Sequence, residues 1–228
     1  MKYKTFVIYT DFHNGSKQIA NKCFKSLDTT WNAELFSGCS PYNLHTYEKL
    51  YGIKKMQEKY KKINENKIQS KKCCFYSHYH LWNICVQDNL DFIVVLEHDT
   101  ESIASLPLKH IKKFLKNKKC IGIQITTESM LKNLSKYQKY IDDYNSYEKG
   151  IHEIFYVHAF GKKFFAGGTG YILDYEACRY LLAEVKNKGW YQNDIMFSTE
   201  EDFPLYFIKP DLCLYNPERE LNTSSSKI

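Results

Sequence analysis

Short apolar runs alternate with segments of helical period along this chain. Residues 4–10 (KTFVIYT) form a β-branched and aromatic run, and a polar turn and a helical stretch over 18–27 follow it. Residues 92–96 (FIVVL) are continuously apolar, as in a strand that is covered on both faces. An alternating run over 120–126 predicts another strand. This alternation predicts an α/β fold.

Residues 71–88 carry a stripe of mostly apolar side chains at i, i+3 and i+4 spacing, which predicts an amphipathic helix packed on a core. The stripe consists of Cys74, His78, Leu81, Trp82 and Cys85. His78 is therefore expected on the buried face. Two more helices carry end signals. One begins near Pro107, and the other runs from Asp174 at its N-terminus to Gly189 as its stop.

The remaining segments are less regular. Residues 46–72 are lysine-rich, which predicts a surface helix or a mobile excursion with a solvated charged face. Residues 127–160 are polar and tyrosine-rich, and such a long irregular stretch is usually a binding loop or lid. Two short strand-like pieces flank Pro210, and residues 219–228 are expected to form a flexible tail.

Composition predicts one globular domain over residues 1–218. Of the 228 residues, 43% are hydrophobic and 25% charged, which excludes disordered, collagen-like and coiled-coil proteins. The chain has no run of 18 apolar residues and no signal-peptide pattern, so the expected location is the cytoplasm. A peripheral position on a membrane, and an infected host cell for a viral chain, are the alternatives.

Cysteine usage and charge narrow the classes of partner. The eight cysteines include no CxxC pair, so a zinc ribbon or disulfide scaffold is disfavoured and the cysteines are expected to act as small apolar residues. The net charge of +6 suits an anionic partner. Because arginine occurs only at 179 and 219, base readout by bidentate arginine is disfavoured, while attraction to phosphate remains open.

Two acids follow the apolar run at 92–96. In an extended segment, Glu97 and Asp99 face one side while His98 faces the other. Adjacent carboxylates repel each other unless a cation joins them, and Mg²⁺ or Mn²⁺ holding a substrate diphosphate suits this pattern. The carboxyl end of a strand is also where ligands bind in α/β sheets. The alternative is that the acids cap a buried strand in solvent.

Two further segments carry candidate chemistry. A glycine-rich turn over 166–170 precedes the run Tyr-Ile-Leu, where the backbone can approach a ligand closely or can form an ordinary tight turn. Residues 189–194 (GWYQND) place Asp194 after aromatic residues, which suits a sugar platform with a general base. A helix-capping surface turn is the alternative for this second segment.

Taken in order, these pieces resemble glycosyltransferase family 25, which includes lipopolysaccharide and lipooligosaccharide galactosyl- or glucosyltransferases and the collagen galactosyltransferase domain. The resemblance rests on residues 33–38 (AELFSG), 73–82 (CCFYSHYHLW), 94–99 (VVLEHD), 167–173 (GGTGYIL) with Ala177, and Asp194. The order and spacing of these motifs are more specific than any one of them.

The resemblance implies a GT-A fold, a nucleotide-sugar donor that is most often UDP-linked, and Mn²⁺ or Mg²⁺ as cofactor. It also implies transfer of a hexose, galactose or glucose, to a hydroxyl of a glycan or lipid-linked sugar, with inversion at the anomeric carbon. By position, Glu97 and Asp99 would flank the metal and diphosphate, and Asn216 would add a metal ligand. Asp194 would be the catalytic base or an acceptor-site acid. The donor-binding set implied is Thr10, Ser77, His78, Gly168, Thr169 and Gly170, with His78 favoured as a structural residue beneath the donor site.

The chain departs from the family pattern at two places. It has Glu-His-Asp over 97–99 where the family usually has Glu-Asp-Asp, and the loop over 11–17 lacks the arginine that often follows the first strand. Two alternative functions remain open. One is transfer to a modified base in nucleic acid, which the lysine-rich segment over 54–72 motivates. The other is a nucleotide-sugar-binding protein that has lost catalysis through the change at His98.

Overall fold

The computed structural model describes residues 1–12, 14–53, 65–133, 135–155, 163–165, 167–190, 197 and 203–216. The strands are β1 (Tyr3–Tyr9), β2 (Ala33–Ser37), β3 (Phe92–Glu97), β4 (Thr100–Ser102), β5 (Gly122–Gln124), β6 (Gly150–Glu153), β7 (Gly170–Asp174), β8 (Leu205–Lys209) and β9 (Cys213–Tyr215). The α-helices are α1 (Asn14–Ser26), α2 (Leu44–Tyr51), α3 (Glu65–Gln87), α4 (Leu108–Asn117), α5 (Thr127–Asn133), α6 (Ile141–Ser146) and α7 (Tyr175–Lys188). Short 3-10 helices span Thr29–Trp31 and Ser135–Tyr140.

The described strands form a seven-stranded sheet in the order β2-β1-β3-β7-β5-β8-β6 and a ribbon of β4 with β9. β1 is parallel to β2 and β3, and β5 is parallel to β8. β7 is antiparallel to β3 and β5, and β6 is antiparallel to β8. Strands β1, β2, β3, β5 and β8 therefore share one direction, which confirms the expected α/β fold with a mainly parallel central sheet.

β3 separates two apolar cores. Its residues Ile93 and Val95 face the core that contains Trp82 of α3, and its even-numbered residues face the core that contains Ile111 of α4. Residues 92–96 are all fully buried. The continuous apolar run follows from this position, because both faces of the strand must exclude water. Each such side chain contributes about 1.5–3 kcal/mol through its burial.

The amphipathic helix predicted over 71–88 is confirmed as the carboxyl part of α3. His78 is only 1% exposed, as its place on the stripe predicts. Cys74 differs from that prediction because it is exposed, whereas its neighbour Cys73 is buried. Cys74 lies near the end of β3, within 3.9 Å of Glu97 Oε1, rather than over the apolar middle of the strand.

The prediction of an irregular stretch over 127–160 is wrong for its described part. The structure has α5, a 3-10 helix, α6 and the edge strand β6 there. The helices are only six or seven residues long, so they make too few turns for a hydrophobic period to develop. In the lysine-rich region, α2 and the first turns of α3 are helical, and residues 54–64 lie outside the described part of the chain. The expected tail over 219–228 also lies outside it and stays a prediction.

Asp211 joins the turn after β8 to the first turn of α5. Its carboxylate accepts hydrogen bonds from the backbone N–H groups of Glu128 and Ser129, both at 2.9 Å, and it is 2% exposed. Burial raises the pKa of the Asp211 carboxyl from 3.8 to about 7, although these donors favour the charged form. Between about pH 4 and pH 7, the folded protein therefore keeps this carboxyl protonated, whereas the unfolded chain has released the proton.

We expect the free energy of unfolding to fall as the pH rises from about 4 to about 7, because a raised pKa stabilises the fold only while the folded state remains protonated. At about 1.4 kcal/mol for each pKa unit, the contribution of Asp211 is on the order of 4 kcal/mol. Urea unfolding at pH 5 and pH 8 measures the part that is lost above pH 5, on the order of 3 kcal/mol. In Asp211→Asn the difference between the two pH values should shrink, and an unchanged difference would show that Asp211 does not cause it.

Candidate functional site

The acidic segment after β3 leaves the sheet in a turn. β3 ends at Glu97, and residues 98–99 form a turn that leads into β4. The sequence-based assumption that Glu97 and Asp99 share one face of an extended segment is therefore wrong. The turn forms because β4 pairs with β9 instead of continuing β3. In that ribbon the backbone N–H of Asn216 donates to the carbonyl of Asp99 at 2.9 Å.

The three expected metal ligands thus lie at one end of β3 but in different surroundings. The Glu97 side chain is 25% exposed, whereas Asp99 is 4% exposed. Asn216 is adjacent to Asp99 through the backbone, so the pairing of β4 with β9 brings together two residues that are distant in sequence. Their role as ligands stays a prediction.

A directed chain of hydrogen bonds leads from the core to Glu97. The indole N–H of Trp82 can only donate, so the Tyr171 hydroxyl oxygen accepts it, at 3.2 Å. The Tyr171 hydroxyl then donates to Nδ1 of His78 at 2.6 Å, which leaves the proton of the neutral imidazole on Nε2. This Nε2–H donates to Glu97 Oε1 at 3.2 Å. The helix and the neighbouring strand β7 together fix the orientation of the carboxylate.

Glu97 is held in its ionised form by this arrangement. Burial alone raises the pKa of its carboxyl, but the hydrogen bond from His78 and the positive charge that the His78 and His98 rings carry when protonated outweigh burial, so the pKa lies below its usual value. The Cys74 thiol adds a longer contact at 3.9 Å. Burial also raises the pKa of Tyr171 well above its usual value, so its hydroxyl keeps the proton that it donates.

The donor atoms of Cys74, His78 and Glu97 all lie within 4.8 Å of one another. Among the residues described, this is the group of three whose spacing suits a metal ion, and Asp99 does not belong to it. Sequence reasoning placed Cys74 and His78 on one stripe of α3 but did not bring them to Glu97. The sequence signal for this cluster was the i, i+4 spacing of Cys74 and His78, because residues four apart lie on the same face of a helix.

The glycine-rich turn lies directly beside the end of β3. The carbonyl of Thr169 accepts the backbone N–H of Glu97 at 2.8 Å, and Gly170 pairs with Leu96. A Cβ on Gly170 would lie 2.8 Å from the Thr126 side chain and 3.2 Å from that of Ile125, so these packed side chains leave no room for one at position 170. Gly168, Thr169 and Gly170 therefore border the acidic turn, where their expected donor-binding role remains untested.

Ser77, another expected donor-binding residue, makes internal hydrogen bonds. Its hydroxyl donates to the carbonyl of Cys73 at 2.9 Å and accepts the backbone N–H of Cys39 at 2.8 Å. A Cβ on Gly38 would lie 2.6 Å from Ser77 Oγ. The Gly-Cys segment that follows β2 and the Ser-His of α3 thus form one structural contact.

Gly38→Ala should lower the free energy of unfolding by about 1–3 kcal/mol, because the new methyl group displaces the Ser77 hydroxyl and leaves a buried N–H unsatisfied. Chemical denaturation measures the loss. Ser77→Ala in the same chain removes the crowded oxygen, so the double variant should lose less stability than the two single losses added together. Strict additivity would contradict the contact.

Of the two remaining expected site residues, the structure describes Thr10 but not Asp194. Thr10 directly follows β1. Its backbone N–H donates to Ser16 Oγ at 3.0 Å, and its hydroxyl accepts the N–H of Phe12 at 3.3 Å. Asp194 lies outside the described residues.

The suggestion that the aromatic residues of 189–194 form a sugar platform is wrong for Trp190. This side chain is 4% exposed, and its ring centroid lies 5.8 Å from that of Phe75 in the core.

The family model for glycosyltransferase family 25 (LPS biosynthesis protein) matches residues 3–197, which is most of the chain. The chain belongs to glycosyltransferase family 25. This confirms the resemblance drawn from the motifs and makes the protein a glycosyltransferase. Among curated proteins, none matches the chain.

Two solved structures resemble the family 25 chain weakly. Mouse xyloside xylosyltransferase 1 in its apo form is 10% identical, with a TM-score of 0.43, over 87% of this chain and 81% of that one. Galactosyltransferase LgtC in complex with donor and acceptor sugar analogues is 11% identical, with a TM-score of 0.41, over 89% of this chain and 72% of that one. The family match gives no support to a nucleic-acid acceptor. No helix in the described ranges is long and apolar enough to cross a membrane.

Proposed function

We propose that this family 25 glycosyltransferase has a GT-A fold and transfers galactose or glucose from a UDP-sugar to a hydroxyl of a glycan or lipid-linked acceptor, with inversion at the anomeric carbon. The observation that carries the proposal is the placement of the Glu97 and Asp99 carboxyl groups at the carboxyl end of β3, where the Glu97 backbone N–H donates to Thr169 of the glycine-rich turn at 2.8 Å. Ligands bind at this end of the strands in α/β sheets.

The oxygen-rich end of β3 fits a hard divalent cation such as Mn²⁺ or Mg²⁺. Glu97, Asp99 and Asn216 would hold it, because carboxylate and amide oxygens are the ligands that such ions prefer. When bound, the cation supplies positive charge that neutralises the diphosphate leaving group. Asp99 is only 4% exposed, so a cation held by its carboxylate would be shielded from water, where charge interactions are stronger.

The rest of the reaction is positioning by this chain. The hydrogen bond from His78 to Oε1 keeps the Glu97 carboxylate in one orientation. Gly168 would let the backbone approach the donor closely, whereas Gly170 is buried in β7 and would support that turn. Asp194 would accept the proton of the acceptor hydroxyl while the oxygen attacks the anomeric carbon. Because no covalent intermediate with the protein is needed for inversion, electrostatic stabilisation and orientation should supply most of the rate.

The test is donor hydrolysis by the purified chain with a panel of UDP- and GDP-sugars, each with Mn²⁺, Mg²⁺ or a chelator. Release of UDP from one UDP-hexose that stops on chelation supports the proposal and identifies the donor. Binding of a nucleotide sugar without turnover under any metal would favour the catalytically inactive alternative. Absence of binding with every donor would overturn the proposed donor class.

A further inference from the structure

The cluster formed by Cys74, His78 and Glu97 has a different chemistry from the oxygen site at Asp99. It offers one sulfur, one imidazole nitrogen and one carboxylate oxygen. Sulfur and nitrogen ligands suit Zn²⁺ and Co²⁺, whereas Mg²⁺ prefers oxygen alone. We propose that Cys74, His78 and Glu97 bind a borderline divalent cation such as Zn²⁺, at a site separate from that of the nucleotide-sugar metal.

The two distances to Glu97 Oε1 are close to those of a tetrahedral zinc site. Usual Zn–S, Zn–N and Zn–O bond lengths place the nitrogen and oxygen ligands about 3.3 Å apart and the sulfur and oxygen ligands about 3.6 Å apart. His78 Nε2 lies 3.2 Å from Glu97 Oε1, and Cys74 Sγ lies 3.9 Å from the same oxygen. The third distance, from Cys74 Sγ to the His78 nitrogen, is no more than 4.8 Å, so the exposed Cys74 side chain must rotate to bring its sulfur to about 3.6 Å from that nitrogen when the ion binds.

The surroundings of His78 supply the outer contact that metal-binding histidines require. A cation on Nε2 replaces the proton there, and the proton moves to Nδ1. The Tyr171 oxygen, 2.6 Å from Nδ1, then accepts a hydrogen bond from this N–H, and the Tyr171 hydroxyl hydrogen rotates away from the imidazole. His78 is 1% exposed and cannot turn away, whereas Cys74 is exposed. With three protein ligands, the fourth tetrahedral position would be taken by water or substrate, as in catalytic zinc sites.

The site shares Glu97 with the proposed nucleotide-sugar metal but uses the opposite oxygen. Oε1 faces His78 and Cys74, so a cation held with Asp99 would use Oε2. Cys74 and His78 are one helical turn apart on α3, and β3 supplies Glu97, so each ligand is placed by a regular element. The two proposed sites differ in ligands and can be separated by substitution.

Co²⁺ titration of the purified metal-free chain tests the proposal without any nucleotide sugar, so the result is independent of the proposed transferase activity. The wild-type chain should bind Co²⁺ with a near-ultraviolet absorption band from thiolate-to-cobalt charge transfer. Cys74→Ser should lose this band. Cys120→Ser, which removes a half-exposed cysteine outside the cluster, should keep it.

Two more variants complete the test. Asp99→Asn distinguishes this site from the proposed oxygen site, and Tyr171→Phe shows whether His78 takes part in binding the ion. Asp99→Asn should keep the band, because Asp99 is not one of the three ligands. Tyr171→Phe should weaken Zn²⁺ affinity by about 10–100-fold through loss of the outer hydrogen bond to His78. A band that persists in Cys74→Ser, a band that is lost in Asp99→Asn, or Co²⁺ binding with no such band would each overturn the proposal. Circular dichroism of every variant confirms that it is folded.

Discussion

Asp99→Asn should lower metal-stimulated release of UDP from the sugar donor by about a thousandfold. The asparagine has almost the same shape, so it preserves packing at a side chain that is only 4% exposed. The bond between Asn216 and residue 99 uses the backbone carbonyl and survives the change. What the substitution removes is the negative charge that would hold the cation at the diphosphate. Initial rates under saturating Mn²⁺ measure the loss.

The matched control is Asp91→Asn, the same change at the opposite end of β3. Asp91 is exposed, and its carboxylate accepts the backbone N–H of Lys2 at the amino end of the strand. It should keep wild-type activity within about twofold, because surface changes away from a site have small effects. If Asp99→Asn stayed as active as Asp91→Asn, Asp99 would have no part in the reaction.

The sequence was most informative where burial leaves a pattern. The five apolar residues at 92–96 predict a strand covered on both faces, and the two cores on either side of β3 confirm it. The stripe on α3 predicts that His78 is buried, because one face of a helix packs against a core. The N-cap Asp174 and the stop Gly189 also agree with α7.

Contacts between distant segments were not predictable in the same way. Glu97 faces Cys74 and His78 only because α3 crosses the end of β3, and nothing in the local pattern of either segment specifies that crossing. The turn at 98–99 depends on β9, more than a hundred residues away in sequence. Short elements such as α6 also leave no period to detect.

The family motifs acquire physical reasons from these contacts. Ser77 is required by the loop after β2, whose Gly38 has no room for a side chain. Tyr171 of the glycine-rich motif orients His78, and Trp82 orients Tyr171. The expected donor-binding set thus includes residues with structural contacts: Ser77 binds the loop after β2, and His78 orients Glu97.

Asp174→Ala should cause the largest loss of stability among these substitutions, about 3–5 kcal/mol in the free energy of unfolding. Its buried carboxylate accepts three backbone N–H groups: that of Ala177 at 2.8 Å, that of Cys120 at 2.9 Å and that of Ile121 at 3.1 Å. It therefore caps α7 and also ties the chain before β5 to the end of β7. Alanine leaves all three donors buried without this partner.

Urea unfolding of Asp174→Ala, Asp174→Asn and Glu176→Ala tests this role. Asparagine keeps one acceptor oxygen, so its loss should lie between those of the wild type and alanine. Glu176 lies in the same first turn of α7 but forms only an exposed pair with Arg179 at 3.3 Å, so its removal should change the stability by no more than about 0.5 kcal/mol. Equal effects of Asp174→Ala and Glu176→Ala would mean that the link from α7 to β5 contributes little, and that the sheet alone fixes the end of β7.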